Sequence, residues 1–231
     1  MEIRMEKVTQ RAPSGRLVFN KINLSAAEGR SVLIQGENGS GKTMLLQMLC
    51  GKQFPSEGRV TVDGEDWRFM SELRRGRLCR KLFGIVGQNP NFIRALTLEE
   101  NLLLPLEFRG GGRAARKRRV REEANALGIE HLLEKYPEAL SDKERRLAGA
   151  ARALLLSPKF LLVDDFLEGL MGAERIEMEE ALRKAELRKG ITSIRTAGTG
   201  DSEYFGEARY ILCGGRLYPG ESIFNRGSRI D

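Results

Sequence analysis

The 231 residues are enough for one sizeable core elaborated by subdomains and do not require two independent domains. Hydrophobic residues at 41% and charged residues at 31% describe an ordinary soluble chain. No run approaches the roughly 18 apolar residues of a membrane span, and residues 1–10 are too polar for a signal peptide, so action at a membrane would need a partner to take the chain there. Lys plus Arg exceed Asp plus Glu by 39 to 32, a formal charge of +7 that favours anionic partners such as nucleotides, anionic lipid or nucleic acid.

The first third reads as β-rich. Residues 3–8, 17–24, 31–35 and 58–62 are short apolar or β-branched runs broken by Gly, Pro and Ser, and 82–86 is another that closes on Gly87-Gln88-Asn89-Pro90. From 96 to 136 the spacing of Leu98, Leu102, Leu106, Val120, Ala124, Leu127 and Leu132 predicts helices, separated by Gly110-Gly111-Gly112. A helical stretch over 143–156 leads into Phe160-Leu161-Leu162-Val163, continuously apolar as a parallel strand buried on both faces must be. Residues 174–189 read as a helix, 191–195 as a strand and 209–218 as a hairpin turning at Gly214-Gly215. Strands alternating with helices indicate an α/β fold. Cys50, Cys79 and Cys213 are odd in number and lack C-x-x-C spacing, which reads as buried thiols in a reducing compartment. The basic run over 113–121 is read as a solvated helix face, with anionic lipid head groups or nucleic acid as alternatives.

The chemistry concentrates at Gly36-Glu37-Asn38-Gly39-Ser40-Gly41-Lys42-Thr43, a full G-x-x-x-x-G-K-[ST] with an apolar strand before it and a helix containing Met44, Leu45, Met48 and Leu49 after it. Glycines let the backbone curl so that successive N–H groups converge on anionic oxygens, and the helix opening near Lys42 adds its positive end. Lys42 is placed to reach the β- and γ-phosphates of ATP, and the Thr43 hydroxyl to ligate Mg²⁺. About 120 residues later the apolar strand ends in Asp164-Asp165, of which Asp164 would accept a Mg²⁺-bound water beside Thr43.

With these motifs, Gln88, the segment Leu96-Thr97-Leu98-Glu99-Glu100-Asn101 followed by Leu104-Pro105-Leu106, the pair Leu140-Ser141, Ala151-Arg152-Ala153-Leu154 and the final Gly214-Gly215-Arg216-Leu217, the chain resembles the nucleotide-binding subunits of ABC transporters over nearly its whole length. Its Q-loop context and LPL segment are similar to those of the lipoprotein-release, macrolide-export and cell-division ATPases, with phospholipid-trafficking ATPases close behind. The resemblance implies one ATP-binding domain over 1–231. It would have the P-loop NTPase fold: a RecA-like core, an N-terminal antiparallel β-subdomain and an α-helical subdomain over about 96–141. It further implies Mg·ATP held by residues 36–43, Gln88 and Asp164, with Thr43, Gln88 and Asp164 at the metal and Ser141 offered in trans to a partner's ATP. The expected partners are a second ATP-binding subunit, in a homo- or heterodimer, and an integral membrane permease, which would hold the chain peripherally on the inner face of the cell membrane.

The departures from the family pattern bear on catalysis. The LSGGQ signature reads Leu140-Ser141-Asp142-Lys143-Glu144, so Asp142 and Glu144 set negative charge where phosphates approach, offset in part by Lys143. The family's general-base glutamate is Asp165, a methylene shorter, and a misplacement of about 1 Å costs on the order of 10²-fold in rate. The following proline is Phe166, and the D-loop aspartate position reads Met171. The only histidine, His131, precedes the 160–163 strand, so the switch position at Thr196-Ala197-Gly198-Thr199 has none. The stretch 9–13 lacks the family's adenine-stacking aromatic, leaving Arg11 as a substitute. Binding is expected to be intact, with Asp165 a weak base and Gln88 its companion. The competing readings are a fully active transport ATPase and a soluble ABC protein acting on nucleic acid, the latter disfavoured because no coiled-coil, zinc insertion or second ABC unit is visible.

Overall fold

The computed structural model describes residues 1–107, 112–199 and 208–220. In chain order these form β1 (Glu2–Arg11), β2 (Leu17–Ala27), β3 (Val32–Gly36), α1 (Lys42–Leu49), β4 (Glu57–Val62), β5 (Glu65–Asp66), α2 (Glu72–Leu82), β6 (Phe83–Gly87), α3 (Leu98–Glu107), α4 (Arg113–Ala126), α5 (Asp142–Leu154), β7 (Phe160–Asp164), α6 (Gly172–Lys189), β8 (Thr192–Ala197), β9 (Ala208–Cys213) and β10 (Arg216–Pro219). Of the expected glycine break only Gly112 lies within the described residues, where it is the N-cap of α4.

Two sheets organise the chain. An antiparallel one has the order β2-β1-β4-β5, and a six-stranded one the order β10-β9-β3-β8-β7-β6, parallel except for the β10 edge. β7 shows why its sequence is apolar throughout. Phe160 and Leu162 join the core shared with α1 and the antiparallel sheet, whereas Leu161 and Val163 join the core shared with α5 and α6. The parallel arrangement brings the carboxyl ends of β3, β7 and β8 to one edge, with β8 between the other two. That edge is where an open α/β sheet leaves its binding crevice.

α2 is not marked by the sequence pattern. Of its residues only Leu82 is fully buried, with Leu78 and Cys79 packed partly against the core, so its apolar mark is slight; its local signal is Ser71, whose Oγ accepts from Arg74 N–H. The thiols divide: Cys50 is buried and Cys79 partly so, but Cys213 is exposed, against the expectation that all three are buried. His131 sits exposed in the short helical turn Glu130–Leu132. Much of the basic run is engaged within the chain. Lys117 and Arg121 pair with Glu99, Arg118 with Glu122, and the Arg119 guanidinium donates to Leu155 O.

The helices following β6 are tied to it through Asn101, which is fully buried. Its Oδ1 accepts from Ile93 N–H at 2.8 Å, and its Nδ2 lies 3.0, 3.1 and 2.9 Å from the carbonyls of Ile93, Leu96 and Thr97. Truncation would leave these backbone groups without their partner in a dry site. Asn101→Ala is expected to lower stability by about 2–3 kcal/mol, read as the urea midpoint shift at constant slope; a shift within experimental scatter would contradict this account of the loop.

Candidate functional site

β3 ends at Gly36 and α1 begins at Lys42, so residues 37–41 must turn the chain sharply. Gly41 adopts φ +105°, and a Cβ there would lie 2.7 Å from the Phe19 ring, which accounts for glycine on both conformational and steric grounds. Inside the turn Lys42 is buried to 4% exposure. Its ammonium donates to Gly36 O at 2.9 Å and Glu37 O at 3.3 Å and lies 3.4 Å from Asp165 Oδ2. A buried ammonium requires such partners, and they hold it at the mouth of a cavity of about 740 Å³.

That cavity gathers Asn38, Lys42, Thr43, Gln88, Asp164 and Asp165 from three separate stretches of chain. Gly39 and Gly41 line it as well, whereas Gly36 and Glu37 face a second cavity of about 510 Å³ on the other side of the loop. Ser40 Oγ is buried with no hydrogen-bond partner among the described residues. The nucleotide-sized space with the cation, the hydroxyl and the carboxylates is the first of these. The Lys42 ammonium and the backbone of Gly39 and Gly41 lining this space suit a triphosphate, whereas the orphaned Ser40 hydroxyl lines a further cavity of about 560 Å³. Thr43 and Asp164 beside them, both oxygen donors, suit Mg²⁺, with Gln88 at the rim.

Asp165, expected as the base, lies beside Lys42. It stands at φ +44°, a turn conformation in which one oxygen approaches Lys42 and the other, Oδ1, is buried without a partner among the described residues. Burial pushes its carboxyl above the usual carboxylate range; Lys42 opposes the shift, while the charges of Asp164 and Glu168 add to it.

Three residues that sequence reasoning missed complete the site. Thr196 on β8 accepts from Asp165 N–H at 3.0 Å and donates to Asp164 Oδ1 at 2.9 Å, locking the end of β7. The sequence marked its stretch only as a switch position without histidine; the strand order alone sets β8 beside β7. Glu168 bonds both Asn38 and Gln88. Arg16 lines the cavity, while Arg11, expected as a platform for the base, instead donates to Gly15 O within its own turn.

Ser141 is not among the residues lining this cavity; it caps α5. Its Oγ accepts from Glu144 N–H at 3.3 Å, and Glu144 Oε2 accepts from Ser141 N–H at 2.7 Å. That backbone bond holds the Glu144 carboxyl below its usual range. The helix terminus therefore already holds an anion of its own. Lys143, expected to offset the added charge, pairs with Glu177 of α6 instead.

The ABC transporter family pattern matches residues 19–168. Methionine import ATP-binding protein MetN 1 of Rhodococcus jostii is 37% identical over 73% of this chain and 50% of its own length. ABC transporter ATP-binding protein YtrE of Bacillus subtilis is 29% identical over 89% of each chain. The chain thus spans about half of the first relative and most of the second. Among solved structures, the dimeric post-hydrolysis state of the ATP-binding cassette MJ0796 bound to ADP and Pi superposes with a TM-score of 0.84 at 27% identity, covering 93% of this chain and 96% of that one. The α/β architecture is accordingly the P-loop NTPase fold of these cassettes. The matched Fe(3+) import ATP-binding protein FbpC of Escherichia coli, 32% identical over 83% of this chain and 53% of its own length, differs from MetN 1 in its stated cargo. Together the relatives establish the family without choosing a subfamily.

Among the described residues, the Thr196 hydroxyl is the one side-chain group bonding both acidic residues at the end of β7, and one of its bonds is to a carboxylate. Thr196→Val keeps the shape and removes both bonds. Stability is expected to fall by about 1.5–3 kcal/mol in urea unfolding; an unchanged midpoint would show that the hydroxyl is dispensable.

Proposed function

The chain belongs to the ABC transporter family, and from that premise we propose that it is the ATP-binding subunit of a membrane ABC transporter, one that binds Mg·ATP well and hydrolyses it slowly. The observation carrying the binding reading is the buried Lys42 at the mouth of a cavity that also gathers Thr43, Gln88 and Asp164. Mg²⁺, held by Thr43 and Asp164 with Gln88 nearby, would neutralise charge on the β- and γ-phosphates. Lys42 exchanges its Asp165 contact for phosphate oxygens, while the turn's amides and the N-terminus of α1 face the same anion.

Slow turnover follows from three features. Asp165 is a methylene shorter than the family's glutamate. β8 ends at Thr196-Ala197 with no histidine to contact a γ-phosphate. The N-terminus of α5 is occupied by its own Glu144, so a partner's phosphate would meet a carboxylate there. In this reading the chain pairs with a second ATP-binding subunit, as the superposed cassette is dimeric, and ATP favours the closed pair. A permease holds it at the inner face of the membrane, a reading supported by relatives that are import ATP-binding proteins. Three of the cations of α4 are paired within the chain, Lys117 and Arg121 with Glu99 and Arg118 with Glu122.

Fluorescent ATP titration and phosphate release test both halves. Lys42→Ala is expected to weaken ATP binding about 100-fold, two charge-assisted contacts being lost. Turnover of the unaltered chain is expected near ~0.1 per second, roughly 10²-fold below a typical enzyme's ~10 per second. Unchanged affinity in Lys42→Ala would refute the site, and unaided turnover of several per second would refute the slow-hydrolysis reading alone.

A further inference from the structure

Of the three carboxylates in the cavity only Asp165 has a cation bonded to it among the described residues; Asp164 is held by a hydroxyl and Glu168 by two amides. Glu168 lies in the turn after β7, three residues beyond Asp165, and its side chain reaches back over the phosphate loop. Asn38 Nδ2 donates to its Oε1 at 3.0 Å, and Gln88 Nε2 donates to its Oε2. Asn38 belongs to the phosphate loop and Gln88 follows β6, so the carboxylate spans the cavity between the two amides.

The turn is built to hold it there. Phe166 is 1% exposed, its ring sunk in the core shared with α5 and α6. Arg146 Nη1 of α5 donates to Phe166 O at 2.6 Å and to Glu168 O at 2.8 Å. Glu168 N–H closes the turn on Asp165 O at 3.1 Å, and Arg175 of α6 donates to Leu167 O at 3.2 Å. The backbone is thus fixed from two helices while the side chain stays exposed to the cavity.

We propose that Glu168, held between the Asn38 and Gln88 amides, is the catalytic base through which this chain hydrolyses ATP. The proposal rests on the Mg·ATP reading and supplies the residue that reading lacks. Glu168 is a methylene longer than Asp165, is held by neutral amides and already contacts Gln88. In the step, the oxygen of a water bonds to the γ-phosphorus as the bond from that phosphorus to the bridging oxygen breaks. The electron pair of the broken bond remains on ADP, the water proton passes to Glu168, and Glu168 then returns it to the inorganic phosphate. Arg146 is a positioning residue: it fixes the carbonyls on either side of Leu167 and so sets where the carboxylate can reach.

The test measures ATP affinity and steady-state phosphate release for the full chain and for Glu168→Gln, with Glu168→Asp as a second variant. Glutamine keeps the size and an acceptor oxygen but cannot take a proton. Glu168→Gln is expected to lower kcat on the order of 10²-fold with Kd for ATP unchanged within about threefold, and Glu168→Asp to fall between parent and Gln. A fall in kcat of less than about tenfold overturns the proposal, as does a parent that binds ATP with no measurable turnover. Parallel losses of affinity and turnover overturn it by making Glu168 structural. A gain of about tenfold in ATP affinity with turnover unchanged overturns it by making Glu168 an anionic stop on the site. A parent that does not bind ATP at all instead removes the functional reading beneath it, so the two failures are distinct.

Discussion

The site depends on one buried ammonium. At 4% exposure Lys42 must be satisfied by the chain itself, and Gly36 O, Glu37 O and Asp165 Oδ2 are the groups that do it. Two of the three are backbone carbonyls of the turn that Lys42 terminates, so the lysine holds the loop curled even as the loop holds the lysine. The glycine at Gly41 is what permits this, because its φ of +105° and the nearness of the Phe19 ring leave no room for a side chain. The third partner is exchangeable. A phosphate oxygen can replace the Asp165 carboxylate at little electrostatic cost, since one anionic contact substitutes for another.

That exchange explains how three carboxylates share one cavity. Asp164 is fixed by Thr196, Asp165 leans on Lys42, and Glu168 is held by two neutral amides. Like charges gathered this closely repel, and the rise in the Asp165 carboxyl pKa, led by burial and increased by Asp164 and Glu168, records part of that cost. Different partners keep the three apart and give each a different setting: one on the Thr196 hydroxyl, one on the lysine, one open to solvent in the cavity. Outside this cavity the α5 terminus is self-capped by the Ser141–Glu144 pair, a local arrangement that stabilises the helix and uses up its affinity for an outside anion.

Legibility varied with the range of the interactions involved. β7 and the turn from β3 to α1 could be read directly because continuous apolar character and the glycine–lysine spacing are local properties of the chain. α2 could not be read this way: it buries only Leu82 fully, with Leu78 and Cys79 packed partly against the core, too short an apolar mark among its charges to stand out. Asp165 was identifiable as an acidic residue at a strand end, yet its pairing with Lys42 depends on a turn conformation at φ +44° that sequence does not announce. Arg11 looked suited to stack on a base; it is instead consumed by its own hairpin, and Arg16 faces the cavity.

The sequence by itself determined the phosphate loop, the order of most strands and helices along the chain, and the loss of the histidine and the signature glycines, because each is written in residues adjacent or regularly spaced. Only the tertiary structure decided which polar side chains meet. Strand order places β8 between β3 and β7, bringing Thr196 to Asp164, and the turn pinned by Arg146 carries Glu168 across 80 residues of sequence to Gln88. Such meetings are set by how the sheet is ordered and packed, and one-dimensional spacing holds no record of that.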